Sequence, residues 1–178
     1  MWQEGLSQEC GIGPWRYGSG KEAPFLVVGY LLPMPDFTSN TAIIEAPVAD
    51  VRALLFDPAS YTTWSSAIRE VKVIASDDQG RATKVEMVIK AVQLKDRVTL
   101  DYDWSQGGNL LVFSLDEADM LTQMSGSYSV EALGDETKVK YELSVELSIP
   151  VPAMMRHKAE KETINLALKE LKAHLENE

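Results

Sequence analysis

The sequence predicts an α+β fold, in which one antiparallel sheet of seven strands is covered by a single long C-terminal helix. Two observations predict this fold. Six segments after residue 67 alternate apolar with polar side chains, a pattern typical of strands with one buried and one solvated face in an antiparallel sheet. An apolar stripe near the C-terminus then follows helical spacing, and no other predicted helix is long enough to cover a sheet. The stripe consists of Ile164, Leu168, Leu171 and Leu175.

The predicted elements begin with a strand from Thr38 to Ala46, followed by two short helices. Pro47 opens the first of these helices. The pair Asp57-Pro58 opens the second, since aspartate favours the N-cap and proline the first turn. The six alternating strands follow at Ile68–Ala75, Thr83–Lys90, Arg97–Trp104, Leu110–Leu115, Leu121–Glu131 and Lys138–Ile149. Prolines end the last strand, and the long helix runs from about residue 153 to residue 175, which gives the order strand, helix, helix, six strands, helix.

Residues 1–33 differ from the rest of the chain and are predicted to be a flexible extension. They contain six of the eleven glycines and follow neither a strand period nor a helix period. Regular patterning starts after Met34, which we therefore expect to be the natural start, with residues 34–178 forming one folded domain. N-terminal sequencing of the native protein checks this expectation, because a mature chain beginning at Met1 would contradict it.

The net charge of the 178-residue chain is −10, from 17 basic and 27 acidic residues. Nucleic acid is therefore not an expected partner, because phosphate binding needs a basic face. The single cysteine, Cys10, excludes an internal disulfide and any metal site built on several cysteines. The longest apolar run, residues 25–32, is too short to cross a membrane, and the glutamates before it are unlike a secretory leader. We therefore expect a cytoplasmic protein.

Motifs for catalysis or cofactor binding are not found in the sequence. His157 and His174 are seventeen residues apart on the predicted final helix, without the spacing of a metal-binding motif. Three alternating serines, at positions 125, 127 and 129, have no neighbouring histidine that could activate them. Glycine-rich phosphate loops are likewise missing. We expect no catalytic residue, no metal ion and no cofactor.

Several short motifs occur in a fixed order along the chain. They are Ile43-Ile44-Glu45-Ala46-Pro47 with Val51, the octapeptide from Asp57 to Trp64, Ile68-Arg69-Glu70-Val71, and Ile149-Pro150-Val151-Pro152 before the final helix. With this set, the chain from Phe37 to Leu175 resembles the START-type helix-grip superfamily, also called SRPBCC. Within that superfamily it is most similar to the polyketide cyclase/dehydrase and lipid-transport family, near its coenzyme Q-binding START-like members. The resemblance implies a curved sheet that wraps the last helix, with an apolar cavity between them.

The predicted cavity would be lined by the aromatic and methionine residues of the buried faces. Buried tyrosine and tryptophan need partners for their polar tips, and methionine adapts to irregular ligand shapes. Plain core packing is the alternative for any one of these residues. The expected lining residues are Tyr61, Trp64, Met87, Ile89, Tyr102, Trp104, Phe113, Met124, Tyr128, Tyr141 and Met155.

The entrance of the cavity is predicted at the end of the sheet where the final helix starts. In an up-and-down meander, the connections near residues 90–96, 116–119 and 150–152 share one end. Val92 and Leu94 are apolar residues in a loop there and could form a lid, although a small packed loop is an equally good interpretation. Arg156 is placed at the same mouth.

A basic cluster also falls near this end of the predicted fold. One interpretation is peripheral docking on an anionic lipid surface or on a ligand carboxylate. The other is a solvated face balanced by Glu160 and Glu162. The cluster consists of Arg156, His157, Lys158 and Lys161, with Lys90, Lys95 and Arg97 predicted close by.

Two functions from different classes are consistent with the resemblance. The first is binding or transport of a hydrophobic small molecule, such as a lipid, an isoprenoid or a polyketide. The second is a polyketide cyclase or dehydratase that uses Tyr102, Tyr128, Tyr141 or Arg97 for proton transfer or enolate stabilisation. We favour the first, because no charged residue stands out on the apolar strand faces. A scaffold protein whose interior is filled by side chains is a third, weaker interpretation, and the sequence does not predict the oligomeric state.

Overall fold

The computed structural model describes residues 36–91, 94–104 and 107–177, so the predicted extension over residues 1–33 lies outside the described residues. The chain forms, in order, β1 (Thr38–Ile44), α1 (Val48–Leu55), a short 3-10 turn (Pro58–Ser60), α2 (Tyr61–Trp64), β2 (Ile68–Ser76), β3 (Ala82–Ala91), β4 (Leu94–Asp103), β5 (Leu110–Ala118), β6 (Leu121–Leu133), β7 (Glu136–Leu147) and α3 (Ala153–Glu176). This order confirms the predicted succession of strands and helices.

The seven strands form one antiparallel sheet in the order β1-β7-β6-β5-β4-β3-β2. Strands β2 to β7 run as a meander in which each strand pairs with the next, and β1 joins at the far side of β7. The side chains of β7 alternate as the sequence predicts, with Val139, Tyr141 and Leu143 buried and the residues between them partly exposed. One face of the sheet is therefore apolar, and another element must pack against it to shield it from water.

The long helix α3 supplies this cover and packs against β1 and β7. Its buried residues are Glu160, Ile164, Leu168 and Leu171, three of which belong to the predicted stripe. The predicted α+β fold, with a seven-stranded antiparallel sheet packed against a long C-terminal helix, is thereby confirmed.

Polar contacts fasten α3 to the strands β1 and β7. Near its start, the buried Glu160 carboxylate accepts hydrogen bonds from the backbone N–H of Val145 at 2.9 Å and from Thr38 Oγ1 at 2.5 Å. Near its end, Lys172 Nζ donates to the carbonyl oxygen of Ile43 at 2.7 Å. These bonds fix the helix along the side of the sheet that carries β1.

A separate contact joins α3 to the connection between α2 and β2. The Glu170 carboxylate accepts from the backbone N–H of Ser66 at 2.9 Å and from Ser66 Oγ at 2.5 Å. Both of these hydrogen bonds are exposed to solvent. They tie the C-terminal half of α3 to the connection that leads into β2.

The short helices form as predicted at the Asp57-Pro58 pair. The Asp57 carboxylate accepts from the backbone N–H of Ala59 at 3.1 Å, which caps the 3-10 turn before α2. The Tyr61 hydroxyl donates back to the carbonyl oxygen of Leu55 at 2.8 Å. This bond holds α2 against the end of α1 and so fixes the position of the two aromatic residues that α2 carries.

Candidate functional site

An apolar cavity of about 80 Å³ lies between α3, α2 and the covered face of the sheet. Nine of the predicted lining residues border it. Helix α2 contributes Tyr61 and Trp64, and β3 contributes Met87 and Ile89. The central strands β4 to β7 contribute the other five, which are Tyr102, Phe113, Met124, Tyr128 and Tyr141. The structure therefore brings these nine residues together around one space, while their role in ligand binding stays a prediction.

Trp104 lies outside this cavity, although it continues the alternation of Tyr102. Strand β4 ends at Asp103, so Trp104 leaves the covered face and packs edge-on against Phe56, with ring centroids 5.8 Å apart. Its Nε1 donates to the carbonyl oxygen of Ala82 at 2.7 Å, which satisfies the indole without any ligand. We correct the expectation for Trp104 accordingly.

Met155, which was also predicted to line the cavity, belongs to the first turn of α3, ahead of the residues that face the sheet. Its side chain is 61% exposed, and it does not border the cavity. Arg156, predicted at the mouth, does not border it either; its guanidinium lies 3.8 Å from Glu146 Oε1. The side chains of Val92 and Leu94 lie outside the described residues.

Several lining residues were not predicted from the sequence. They are Ser65, Ala67 and Ile68 of the α2–β2 connection, Lys90, Leu100, and Thr163 with Ala167 on α3. Leu100 could have been found, because it alternates with Tyr102 along β4. Small residues one helical turn apart, such as Thr163 and Ala167, give no signal that separates them from ordinary helix surface. The lining residues that keep some exposure, including Ala67, Lys90 and Thr163, show where the cavity approaches the surface.

The aromatic rings of the cavity form one packed cluster around Phe113. Its ring centroid lies 6.2 Å from that of Tyr102, 6.1 Å from that of Tyr128 and 6.4 Å from that of Tyr141. Tyr128 and Tyr141 stack with their centroids 4.1 Å apart. Phe113 fits here because its cross-strand neighbour is Gly126, which leaves room for the ring.

The cavity contains four phenol hydroxyls and no other acidic group among the residues that border it. The Tyr61 hydroxyl donates to the carbonyl oxygen of Leu55 at 2.8 Å. Burial raises the pKa of Tyr141 to about 12 and holds the pKa values of the other three well above their usual range. At neutral pH these groups are therefore neutral hydrogen-bond donors.

We expect these four tyrosines to resist ionisation as long as the protein is folded. An acid whose pKa is raised by folding stabilises the native state below its unfolded pKa, which is about 10 for tyrosine, and this stabilisation is lost as pH rises toward the folded value. The free energy of unfolding should thus fall between about pH 10 and pH 12. Phenolate absorbance followed together with circular dichroism checks this. Full ionisation of all six tyrosines in a chain that retains native dichroism would contradict it.

Trp64 adds a buried donor of another kind at the cavity, its indole N–H. Its Nε1 is shielded from solvent and has no hydrogen-bond partner within the described part of the chain. An unpaired buried N–H lowers the free energy of unfolding by about 1–3 kcal/mol, so the Trp64 indole destabilises the protein unless a ligand accepts its hydrogen bond. The Tyr61 ring packs edge-on against the indole, with centroids 5.4 Å apart, and holds it in place.

The described residues contain neither a cluster of metal-ligating side chains nor a helix that could span a membrane. Over residues 36–91, 94–104 and 107–177, no group of three or more His, Cys, Asp or Glu side chains could hold a metal ion. None of the helices formed by these residues is both long and apolar enough to cross a membrane.

Comparison with known proteins identifies the family of this chain. The family model described as polyketide cyclase/dehydrase and lipid transport matches residues 37–176. A START superfamily protein from Mycobacterium smegmatis has a TM-score of 0.75 at 22% sequence identity, over 79% of this chain and 97% of that chain. The Zhui aromatase/cyclase from Streptomyces sp. R1128 has a TM-score of 0.66 at 15% identity, over 79% of this chain and 93% of that one. No curated protein matches the chain. At these identities the solved structures are similar in fold alone.

Proposed function

This chain belongs to the polyketide cyclase/dehydrase and lipid transport family, and on that premise we propose that it binds or transports a hydrophobic small molecule in the cavity beneath α3. The observation that supports the proposal is the cavity itself, which is bordered by aromatic, methionine and small side chains. A pocket of this composition offers a large apolar surface together with a few donors that can orient a ligand. The neutral phenols and the unpaired indole N–H of Trp64 are such donors.

The size of the cavity bears on the size of the ligand. Pockets for drug-sized ligands measure about 300–1,000 Å³, so a cavity of about 80 Å³ holds a ring or the end of a chain. Larger guests need the lining to move, and Met87 and Met124 are the flexible side chains that can do so. We propose a lipid, isoprenoid or polyketide-like ligand on this basis. A coenzyme Q-type ligand is the large end of this range and stays a prediction from the resemblance.

Filling the cavity should abolish binding without unfolding the protein. Ala167 borders the cavity from α3, and a phenylalanine there would occupy its space. Ala173 lies on the same helix but is exposed, so Ala173→Phe is the matched control. We expect solvent extracts of the wild type and of Ala173→Phe to contain a hydrophobic compound by mass spectrometry, and extracts of Ala167→Phe to lack it.

The same proteins should also differ in their binding of a small apolar probe. Toluene, titrated by NMR, should shift resonances of the cavity residues in the wild type and in Ala173→Phe only. If the wild type neither carries a compound nor binds toluene, the cavity is a packing defect and the proposal is wrong. A third function, a scaffold with a filled interior, would then be favoured.

A cyclase or dehydratase is the second candidate function, favoured by the tyrosine hydroxyls that border the cavity. Because the pKa values of these phenols are raised, they would act as donors to a substrate carbonyl or enolate rather than as bases. Arg97 does not join them, since its guanidinium lies 2.9 Å from the Glu86 carboxylate and is exposed. Incubation with a linear poly-β-ketone, followed by mass spectrometry for loss of water, separates this function from simple binding.

Contact with an anionic membrane stays a prediction. The first turn of α3 does present apolar side chains to solvent, since Met154 is 82% exposed and Met155 is 61% exposed. Lys158 is also exposed there, with only a long contact of 3.9 Å to Glu162.

A further inference from the structure

An open cleft of about 360 Å³ lies at the end of the sheet where β4 ends, outside the cavity beneath α3. We infer that this cleft binds a small aromatic carboxylate, whose charge is matched by Arg52 and whose ring packs against Trp104. The inference goes beyond the proposed function, because the cleft and the cavity share no lining residue. The cleft is lined by Ala49, Arg52, Ala53, Phe56, Arg81, Trp104 and Gly108.

Helix α1 and its C-cap form one wall of the cleft. Four of the lining residues are spaced three or four positions apart, so they share one face of the helix. They are Ala49, Arg52, Ala53 and Phe56. The buried residues of α1, Val51 and Leu55, lie on the opposite face and belong to the core. The small side chains of the two alanines leave this wall open to a ligand, with a cation and an aromatic ring beside them.

Arg52 brings an unpaired positive charge to the cleft. Its guanidinium lies against Gly108, where a Cβ atom would be 2.9 Å from Nη2 and 3.6 Å from Cζ. Glycine at this position therefore lets the guanidinium lie over the backbone. Within the part of the chain that the structure describes, Arg52 has no carboxylate at ion-pair distance. The last turn of α1 favours a cation here, but it does not supply the planar acceptor that a guanidinium fits best.

The second cation of the cleft, Arg81, is already paired. Its Nε and Nη2 both lie 2.7 Å from Asp77 Oδ2, and its guanidinium carbon lies 5.4 Å from the centroid of the Trp104 ring. Asp77 therefore neutralises Arg81 and, together with Trp104, holds its guanidinium in place. None of the described lining residues is acidic, so the cleft keeps one positive charge, that of Arg52. A carboxylate balances this charge, whereas a phosphate dianion would need a second free cation.

Trp104 and Phe56 give the cleft an aromatic wall. Their rings pack edge to face, with centroids 5.8 Å apart. The Trp104 Nε1 proton is used on the carbonyl oxygen of Ala82, so the indole offers a ligand its apolar ring and no hydrogen bond. A flat apolar body suits such a wall, and the volume falls within the range of about 300–1,000 Å³ that small-molecule sites occupy. The wall and the charge of Arg52 together indicate an aromatic carboxylate.

A matched pair of probes tests this inference on the full-length chain by NMR titration. The probes are 2-naphthoate and 2-naphthamide, which share a ring system and differ in charge. We expect both to shift the backbone N–H resonance of Gly108 and the indole N–H resonance of Trp104. At low salt the acid should bind about 5-fold more tightly than the amide, as one well-oriented surface charge pair would give. This preference should decrease as salt is added, and it should disappear in Arg52→Gln.

Two control variants separate this cleft from other sites. Arg69→Gln removes the same charge from an exposed position of β2 outside the cleft, and it should keep the wild-type preference for the acid. Ala167→Phe, which fills the cavity beneath α3, should bind 2-naphthoate at Gly108 as the wild type does. If the acid shifts only cavity resonances and this shift is lost in Ala167→Phe, the inference is overturned while the proposed function stands.

Three further outcomes would also overturn the inference. The first is equal binding of acid and amide by the wild type, or no binding of either at Gly108. The second is a preference for the acid that survives unchanged in Arg52→Gln. The third comes from a titration with inorganic phosphate. If phosphate shifts the same resonances and binds more tightly than 2-naphthoate, the cleft selects phosphate groups and not aromatic carboxylates.

Discussion

Replacing Gly126 with alanine should destabilise the fold by about 3 kcal/mol, the upper range for overpacking a well-filled core. A Cβ atom at this position would lie 2.5 Å from Phe113 Cζ and closer still to the carbonyl oxygen of Glu142. The carbonyl belongs to the paired strand β7 and cannot move without breaking sheet hydrogen bonds. The Phe113 ring can relieve its own contact only by turning toward the cavity, and the contact with the carbonyl oxygen remains as strain between β6 and β7. Urea denaturation of the variant measures the loss of stability.

The matched control for Gly126→Ala is Ser129→Ala on the same strand. Ser129 is partly exposed, and its replacement should change the free energy of unfolding by no more than about 0.5 kcal/mol. Because the displaced ring borders the cavity, Gly126→Ala should also weaken binding of an apolar probe. A Gly126→Ala protein as stable as Ser129→Ala would show that β7 yields at Glu142, contrary to this prediction.

Replacing Glu160 with alanine should lower the free energy of unfolding by about 3 kcal/mol, because the buried groups that bind its carboxylate lose their hydrogen-bond acceptor. Glu160 is 1% exposed, and its two oxygens accept from Val145 N–H and Thr38 Oγ1. His157 Nδ1 lies 3.2 Å from the same Oε2 atom. The variant removes the polar link between α3 and strands β1 and β7, and it leaves a void at their junction.

Two comparison variants make the Glu160 prediction specific. Glu162→Ala removes an exposed carboxylate from the same helix and should change stability by no more than about 0.5 kcal/mol. Glu160→Gln keeps one acceptor oxygen and should fall between Glu162→Ala and Glu160→Ala in urea midpoint. If Glu160→Ala unfolds at the midpoint of Glu162→Ala, the buried carboxylate contributes nothing to the attachment of the helix.

The order of elements could be predicted from the sequence because each one repeats a local pattern. The alternation in β7 and the stripe on α3 are read from neighbouring residues, and the structure confirms both. The Asp57-Pro58 signal likewise marks the turn before α2. The burial of polar residues such as Glu160 and Asp96 could not be predicted from local patterns, because their hydrogen-bond partners are far away in the sequence.

Local patterns also assigned to the cavity border two residues that do not lie there. Periodicity assigns a residue to a face, but it does not say where a strand leaves that face, so Trp104 was placed with Tyr102 although β4 ends between them. Met155 was assigned by residue type, without a view of where α3 first meets the sheet.

The two exposed hydrogen bonds between Ser66 and Glu170 bear on how quickly the proposed ligand would exchange. Residues next to both ends of that contact, Ala67 and Ala167, border the cavity, so the contact joins two sides of the cavity border. Each such hydrogen bond contributes about 0.5–1.5 kcal/mol, so releasing both costs about 2 kcal/mol. A gap of that size keeps a population of a few per cent in which this contact is open. If release of this contact is the step that admits the ligand we propose, loading and unloading would need neither a partner protein nor a break in the strand pairing.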